Sequence, residues 1–111
     1  AAMIDMRLSQ PRANPVKISF CYRVLVKGKS YRGVNRKLSG QTETGDCGHH
    51  SALVIGQRFN KKSGKCQLLV RNSFGKFCGY STDWECEKDK GNIWVDQDAL
   101  TANIYGISYI Q

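Results

Sequence analysis

Two apolar runs on either side of a turn-forming segment constrain the fold of this 111-residue chain more than any other feature. Residues 51–56 form a continuous apolar run, which is typical of a strand buried on both faces. Residues 66–71 form a second run, and residues 60–64 between them have the composition of a turn, Asn-Lys-Lys-Ser-Gly. The sequence therefore predicts that the two runs pair as an antiparallel hairpin.

Shorter strand patterns on both sides of this hairpin predict a mainly β domain. Residues 16–20 alternate between apolar and polar side chains, as in a strand with one buried face. Residues 22–26 either continue that strand or form its partner. Residues 93–95 and 104–110 are rich in β-branched and aromatic side chains, and each segment predicts a further strand. Together these strands favour an antiparallel sandwich or half-open barrel.

Helical patterns are short and few. Two apolar side chains four residues apart, ahead of a proline, predict a short N-terminal helix over residues 4–10. Residues 96–100 begin with Asp, a good N-cap, and predict one helical turn. The polar segments are predicted to be a long surface excursion at residues 27–47 and an irregular loop at residues 75–91.

Length and composition bound the chain to a single domain. With 111 residues, 41% of them hydrophobic, it can bury one modest core. No apolar run has the length of a membrane-spanning helix and no signal peptide opens the chain, so we expect no membrane partner. The chain begins with Ala1 rather than Met, which indicates a processed product, an excised piece of a longer chain, or a tag or boundary at residues 1–3.

The charge balance favours an acidic partner without identifying one. Lys and Arg number 17 against 9 Asp and Glu, which gives a net charge of +8 and would suit nucleic acid. The basic residues cluster in polar, Gly- and Ser-containing stretches, so they first indicate solvated loops. No zinc-finger spacing, RNP-like aromatic motif or helix-turn-helix pattern occurs. A basic nucleic-acid-binding β domain is therefore the less favoured alternative.

Five cysteines in so short a chain indicate an oxidising compartment, with up to two disulfides and one cysteine left over. Spacing alone does not fix the connectivity. We favour a bond between Cys78 and Cys86, which flank a short segment. The cysteine left over is either a buried thiol or a bridge to another chain.

A histidine and an asparagine at the ends of the predicted hairpin strands suggest a catalytic pair. His50 opens the first strand and Asn72 follows the second, so both side chains would lie at one rim of the sheet. A neutral imidazole takes a proton from a thiol or hydroxyl near neutral pH, and an amide oxygen can hold it in one tautomer. The alternative without a catalytic role is a surface histidine beside an ordinary turn.

The chain itself offers no convincing nucleophile or metal site. Cys21 lies in a strand pattern with no helix N-terminus to lower its thiol pKa, and Cys47 is only three residues from His50 in a glycine-rich turn. A zinc site built from Cys47, His49, His50 and Cys66 lacks a Cys-x-x-Cys knuckle. We therefore expect no metal and no cofactor, and a nucleophile from elsewhere.

The order of these motifs resembles the C-terminal half of papain-like cysteine peptidases. It runs from His50 through a small residue, alanine and three apolar residues to Gly56, then through an apolar strand to Asn72-Ser-aromatic-Gly, and then to Gly91-x-Ile-x-Val. Residues 14–19 resemble the Pro-Val strand that opens that half. The resemblance covers residues 4–110 and implies an antiparallel half-barrel, part of an α+β enzyme.

The resemblance implies a role for each matching residue. His50 would be the general base and ion-pair partner of a cysteine thiolate, and Asn72 its orienting amide. His49 and Ser51 would lie at the cleft rim. Phe74 occupies the place where relatives usually carry a tryptophan that shields the His–Asn hydrogen bond.

The family supplies the nucleophilic cysteine and an oxyanion glutamine from its other, mostly helical half, and neither motif occurs here. The resemblance therefore implies one half of a cysteine peptidase, inactive alone, which hydrolyses protein or peptide substrates through a thioester with an N-terminal chain or domain. If that partner is absent, a homodimer could cover the exposed apolar face. The alternative is a catalytically silent binding module. Cysteine usage and family habit together suggest a secreted, periplasmic or lysosome-like location.

Overall fold

A computed structural model describes residues 15–37, 40–43, 47–72 and 75–109. Its strands are β1 (Val16–Cys21), β2 (Val34–Lys37), β3 (Gly40–Glu43), β4 (His49–Asn60), β5 (Lys65–Arg71), β6 (Glu85–Glu87), β7 (Asn92–Asp96) and β8 (Ile104–Tyr109). Its helices are α1 (Arg23–Lys27) and α2 (Gln97–Thr101).

Six of the strands form one antiparallel sheet in the order β6-β7-β5-β4-β1-β8, and β2 pairs with β3 in a separate two-stranded sheet. The long strands β4 and β5 are the predicted hairpin, and residues 61–64 make its turn. The larger sheet is open and does not close into a barrel. The prediction of a mainly β, antiparallel domain is confirmed.

The core lies on one face of this sheet. Alternate side chains of β1, β4, β5 and β7 are fully or almost fully buried there, and α1 and α2 pack against them. The Trp84 indole joins this core and donates a hydrogen bond from Nε1 to the Val24 carbonyl at 2.9 Å. Burial of these apolar side chains is the main stabilising term for such a sheet.

The prediction that residues 51–56 are buried on both faces is wrong. Burial alternates along β4: Ala52 and Val54 are buried, Ser51 is exposed, and Leu53 is half-buried. The physical reason is the neighbouring strands, which place the charged Lys17 and Arg71 beside Leu53 on the second face. The apolar run therefore contributes to the core from one face of β4 only, and its other face mixes apolar and polar side chains.

Three other segments differ from the prediction or extend it. In the segment 22–26, Tyr22 is the N-cap residue and residues 23–26 form most of helix α1 instead of a strand, because Val24 and Leu25 turn into the core once β1 has ended. The excursion at residues 27–47 contains the small β2–β3 sheet, and the loop at residues 75–91 contains β6. The predicted helix at residues 4–10 lies outside the described residues.

The predicted helical turn after β7 is present as α2. Asp96 precedes it in the N-cap position, yet its side chain makes no capping hydrogen bond. Instead the Asp96 carboxylate accepts a hydrogen bond from Gln67 Nε2 at 3.0 Å, which ties the end of β7 to β5.

Two disulfides join Cys21 to Cys47 and Cys78 to Cys86, the second of which is the favoured pair, and Cys66 is an exposed free thiol. Two disulfides suggest an oxidising, extracellular-type environment. Among the described residues there is no helix with the length and apolar character needed to cross a membrane.

Candidate functional site

The His50 ring lies at the rim of the core. His50 is the second residue of β4, next to the end of the pairing between β4 and β1. His50 pairs directly with Phe20, which is fully buried. The imidazole contacts two aromatic rings edge-on, Phe20 at a centroid distance of 5.5 Å and Tyr22 at 5.1 Å. These contacts restrict rotation of the imidazole and give one side of the ring an apolar environment.

The Asn72 amide lies directly beside this imidazole. Asn72 follows the last residue of β5 and is only 8% exposed. His50 Nε2 and Asn72 Oδ1 are 3.1 Å apart. An amide oxygen only accepts hydrogen bonds, so this contact requires the hydrogen on Nε2 and leaves the basic lone pair of a neutral ring on Nδ1. The arrangement thus selects one tautomer of His50.

A tyrosine completes the row of polar side chains. Asn72 Nδ2 donates to Tyr80 Oη at 2.6 Å, and the Tyr80 ring packs edge-on against Phe77 at 5.3 Å. Burial and, secondarily, the neighbouring Tyr80 raise the pKa of the Tyr22 hydroxyl above its usual value. The row His50–Asn72–Tyr80 therefore connects the hairpin to the loop before β6.

Sequence reasoning missed both tyrosines. Tyr80 belongs to a polar segment with no strand or helix pattern, and Tyr22 lies in a segment whose composition predicts a strand. One signal was available, because Cys78 and Cys86 bracket Tyr80 and their disulfide holds the ends of that segment together. A loop closed in this way can position a side chain.

The other predicted site residues have different positions. His49 is exposed and its ring stacks on Tyr105 at 4.5 Å, while the exposed Ser51 hydroxyl lies 3.1 Å from Ser19 Oγ. Successive side chains of a strand point to opposite faces, so His49 and Ser51 flank His50 on the outer face of β4. Phe74 lies outside the described residues.

The cysteines considered as nucleophiles or metal ligands are not gathered around His50. Cys21 and Cys47 are bonded to each other, so neither is a thiolate. Cys66 pairs with Phe59, nine positions after His50 on β4, which corresponds to about 30 Å along a strand. The zinc set proposed as an alternative is therefore not assembled. In the described ranges, no group of three or more His, Cys, Asp and Glu side chains could hold a metal ion.

Two clefts of similar size lie at opposite ends of the hairpin. One of about 550 Å³ is lined by Gly64, Cys66 and Thr101, far from the imidazole. The other, of about 480 Å³, includes Asn72 and Ser51 in its wall. Of these two clefts, only the second has a member of the histidine–asparagine pair in its wall, namely Asn72.

Comparison of the chain with protein-family models, with curated proteins and with solved structures found no match. The geometry of the residues themselves is therefore the basis for assigning a function.

Proposed function

We propose that this chain is the His- and Asn-bearing half of a papain-like cysteine peptidase, whose nucleophilic cysteine belongs to a separate chain or domain. The observation that carries the proposal is the 3.1 Å contact between His50 Nε2 and Asn72 Oδ1. This contact joins side chains 22 residues apart at the same rim of one hairpin, in the order that the peptidase motifs require.

The surroundings of the imidazole suit a general base. The Asn72 oxygen accepts the Nε2 hydrogen and stabilises the positive charge that develops when Nδ1 takes up a proton. Phe20 and Tyr22 hold the ring by edge contacts. A base held in one tautomer and one orientation loses little entropy when it reacts.

The proposed reaction has two halves. His50 Nδ1 takes the proton of the partner's cysteine thiol, and the thiolate attacks the carbonyl carbon of the peptide. The carbon–nitrogen bond then breaks, and the imidazolium gives its proton to the leaving amine, which leaves a thioester. Water attacks this thioester with its proton passing to Nδ1, and the tetrahedral intermediate collapses to the free acid as the sulfur leaves and recovers a proton from His50.

On this proposal the chain alone is inactive toward peptides. Cys21 and Cys47 are held in a disulfide, and Cys66 lies on β5 opposite Phe59, at the end of the hairpin far from His50. None of the three can present a thiolate to the imidazole, so the second half of the enzyme has to supply it.

The first experiment identifies the partner. Native material is labelled with a thiol-reactive peptidase inhibitor, and the intact mass is measured without reduction. We expect a second chain that co-purifies and takes one label. A lone species of 12.5 kDa without a labelled partner would contradict the two-chain proposal.

The decisive variant is His50→Ala in the reconstituted pair, with His49→Ala as the matched control. The first should lower kcat/KM by about 10²- to 10⁴-fold, the range for loss of a general base, while circular dichroism stays unchanged. His49 points to the opposite face, so its variant should retain most of the activity. Equal activity of the His50→Ala protein and the parent would sink the assignment.

A catalytically silent binding module is the second candidate. It is favoured by the disulfide between Cys21 and Cys47, which leaves no thiol beside His50 among the described residues. Such a module needs no labelled partner, so the mass measurement separates the two candidates.

A further inference from the structure

The cleft beside Asn72 has a strongly basic wall. Three cationic side chains line it, Lys17 on β1, Arg71 on β5 and Lys90 in the turn before β7, and all three are exposed. Among the described residues that line the cleft there is no Asp or Glu. A concave site with one sign of charge concentrates ligands of the opposite sign.

Strand register fixes the spacing of two of these cations. Lys17 pairs with Leu53, and Leu53 pairs with Arg71, so the three residues form one row across β1, β4 and β5. Neighbouring strands lie about 5 Å apart, which puts the Lys17 and Arg71 backbones about 10 Å apart. Both long side chains can therefore reach one anion above Leu53.

A close backbone contact places the third cation. Gly91 has a φ of +73°, and a Cβ there would collide with the Gly75 carbonyl. Only glycine permits this approach without strain. The turn before β7 is thereby held against Gly75, which puts Lys90 in the cleft wall.

Among the described residues, these cations have no acidic partner. Arg58 and Lys65 at the other end of the hairpin form ion pairs with Glu85 at 3.0 Å and Asp98 at 2.7 Å. Within the described part of the chain, Lys17, Arg71 and Lys90 form no such pair. Their charge remains available to a ligand.

We infer that this cleft binds the side-chain carboxylate of an acidic residue in a peptide substrate. Lys17 and Arg71 would hold the carboxylate, and the half-buried Leu53 would contact the methylene groups of a glutamate. The cleft lies on the outer face of β4, and Asn72, which belongs both to its wall and to the His50 contact, marks the rim of the sheet that the cleft shares with the imidazole. The substrate assignment rests on the proposed peptidase function, whereas the binding itself can be measured without catalysis.

The test is an amide NMR titration of the 111-residue chain at low ionic strength with two capped peptides, N-acetyl-Ala-Glu-Ala-amide and its Gln counterpart. The pair differs in charge and hardly in shape. The variant is Lys17→Gln with Arg71→Gln. The matched control is Lys61→Gln with Lys62→Gln in the exposed hairpin turn, which also removes two charges.

We expect the Glu peptide to shift amides at Lys17, Leu53 and Arg71 and the Gln peptide to shift them weakly. The Lys17/Arg71 variant should bind the Glu peptide about tenfold more weakly, and the control should bind it as the parent does. Equal shifts by both peptides, or equal weakening by both variants, would overturn the inference. A Lys17/Arg71 variant that binds the peptide normally but no longer retains the labelled partner chain would also overturn the inference. The cleft would then bind the partner chain and not a substrate carboxylate.

The two proposals fail separately. Selectivity of the Lys17/Arg71 variant for the Glu peptide over the Gln peptide tests only the role of the cleft and not the peptidase assignment. A His50→Ala protein that binds the Glu peptide normally, in a reconstituted pair whose activity it leaves unchanged, would remove the peptidase assignment and keep the carboxylate site.

Discussion

The two ends of the β4–β5 hairpin use the same kind of side chain for different purposes. At the turn end, around residues 58–67, Asn60 Oδ1 accepts hydrogen bonds from the backbone nitrogens of Lys62 at 2.9 Å and Ser63 at 3.3 Å. This amide satisfies turn donors that would otherwise lack a partner. Its presence is explained by the fold alone.

At the open end, where His50 and Asn72 lie, the amide does not support the backbone. The hydrogen bonds of the Asn72 side chain within the described residues go to the side chains of His50 and Tyr80. Burying an amide is costly unless it is fully bonded, and here the bonds hold an imidazole. Burial of Asn72 is therefore best explained by its contact with His50.

The largest difference in stability between the two ends is expected at two phenylalanines. Phe20 is fully buried under His50, whereas Phe59 near the turn is 59% exposed. Phe20→Ala should lower the free energy of unfolding by about 3–5 kcal/mol, and Phe59→Ala by about 0.5 kcal/mol or less. Urea unfolding of the oxidised proteins measures both, and similar costs would mean that the core face is misassigned.

The two asparagines give the next largest effect. Asn72→Ala should lower kcat/KM of the reconstituted enzyme by about 10- to 100-fold, because the imidazole loses its orienting acceptor, and should cost about 1–3 kcal/mol of stability. Asn60→Ala should cost about 1 kcal/mol and leave kcat/KM unchanged. Steady-state kinetics beside thermal unfolding separates the two roles, and a kinetic defect in both variants would contradict them.

A smaller effect is expected at the tyrosine hydroxyls. Tyr80→Phe leaves Asn72 Nδ2 without its acceptor and should cost about 0.5–1.5 kcal/mol, with a shifted pH profile of activity because the amide is held less firmly. Tyr105→Phe is the control, since the buried Tyr105 hydroxyl has no hydrogen-bond partner among the described residues. Removing that hydroxyl should leave stability equal or slightly higher. A Tyr80→Phe variant with unchanged stability and an unchanged pH profile would show that Asn72 does not depend on the hydrogen bond to Tyr80.

The smallest effects concern pH. Burial raises the pKa of Tyr22 at the open end, so this contribution to stability is present below the unfolded pKa of about 10 and is lost as pH rises through the folded value. At the turn end the hydrogen bond from Lys65 lowers the pKa of Asp98, so that contribution is present above about pH 4 and is lost as pH falls through the folded value.

Tyr22→Phe should therefore flatten the decline of stability above pH 10, and Asp98→Asn the decline below pH 4. Unfolding free energies measured across both ranges check each sign. Because the Asp98 carboxylate is largely exposed, its effect should also shrink in high salt, and a salt-independent effect would count against the ion pair.

The hairpin could be predicted because each of its strands carries its own apolar signal and the turn carries its own composition. Helix α1 could not, since residues 22–26 are rich in residues that favour strands. Its stability comes from distant contacts: the Leu25 carbonyl accepts from the Ser81 backbone nitrogen at 2.8 Å, and Val24 accepts from the Trp84 indole. A partner some 60 positions away leaves no local pattern.

The site shows the same division. His50 and Asn72 were predicted because strand ends at one rim bring side chains together, and the pairing of Leu53 with Arg71 provides that register. Tyr80 and the basic cleft depend on how the loop before β7 folds back onto the sheet. That path is set by the Gly91–Gly75 contact and by the Cys78–Cys86 bond. The sequence favours the bond but does not indicate where the loop that it closes lies against the sheet.

The disulfide between Cys21 and Cys47 also has an evolutionary consequence. It joins Cys21, the last residue of β1, to Cys47, which lies 26 residues later and just before β4. The β2–β3 hairpin belongs to the loop that the disulfide closes. Lengthening a closed loop costs little additional entropy. Insertions and exchanges in this hairpin should therefore accumulate without disturbing His50, and related lineages should diverge there first.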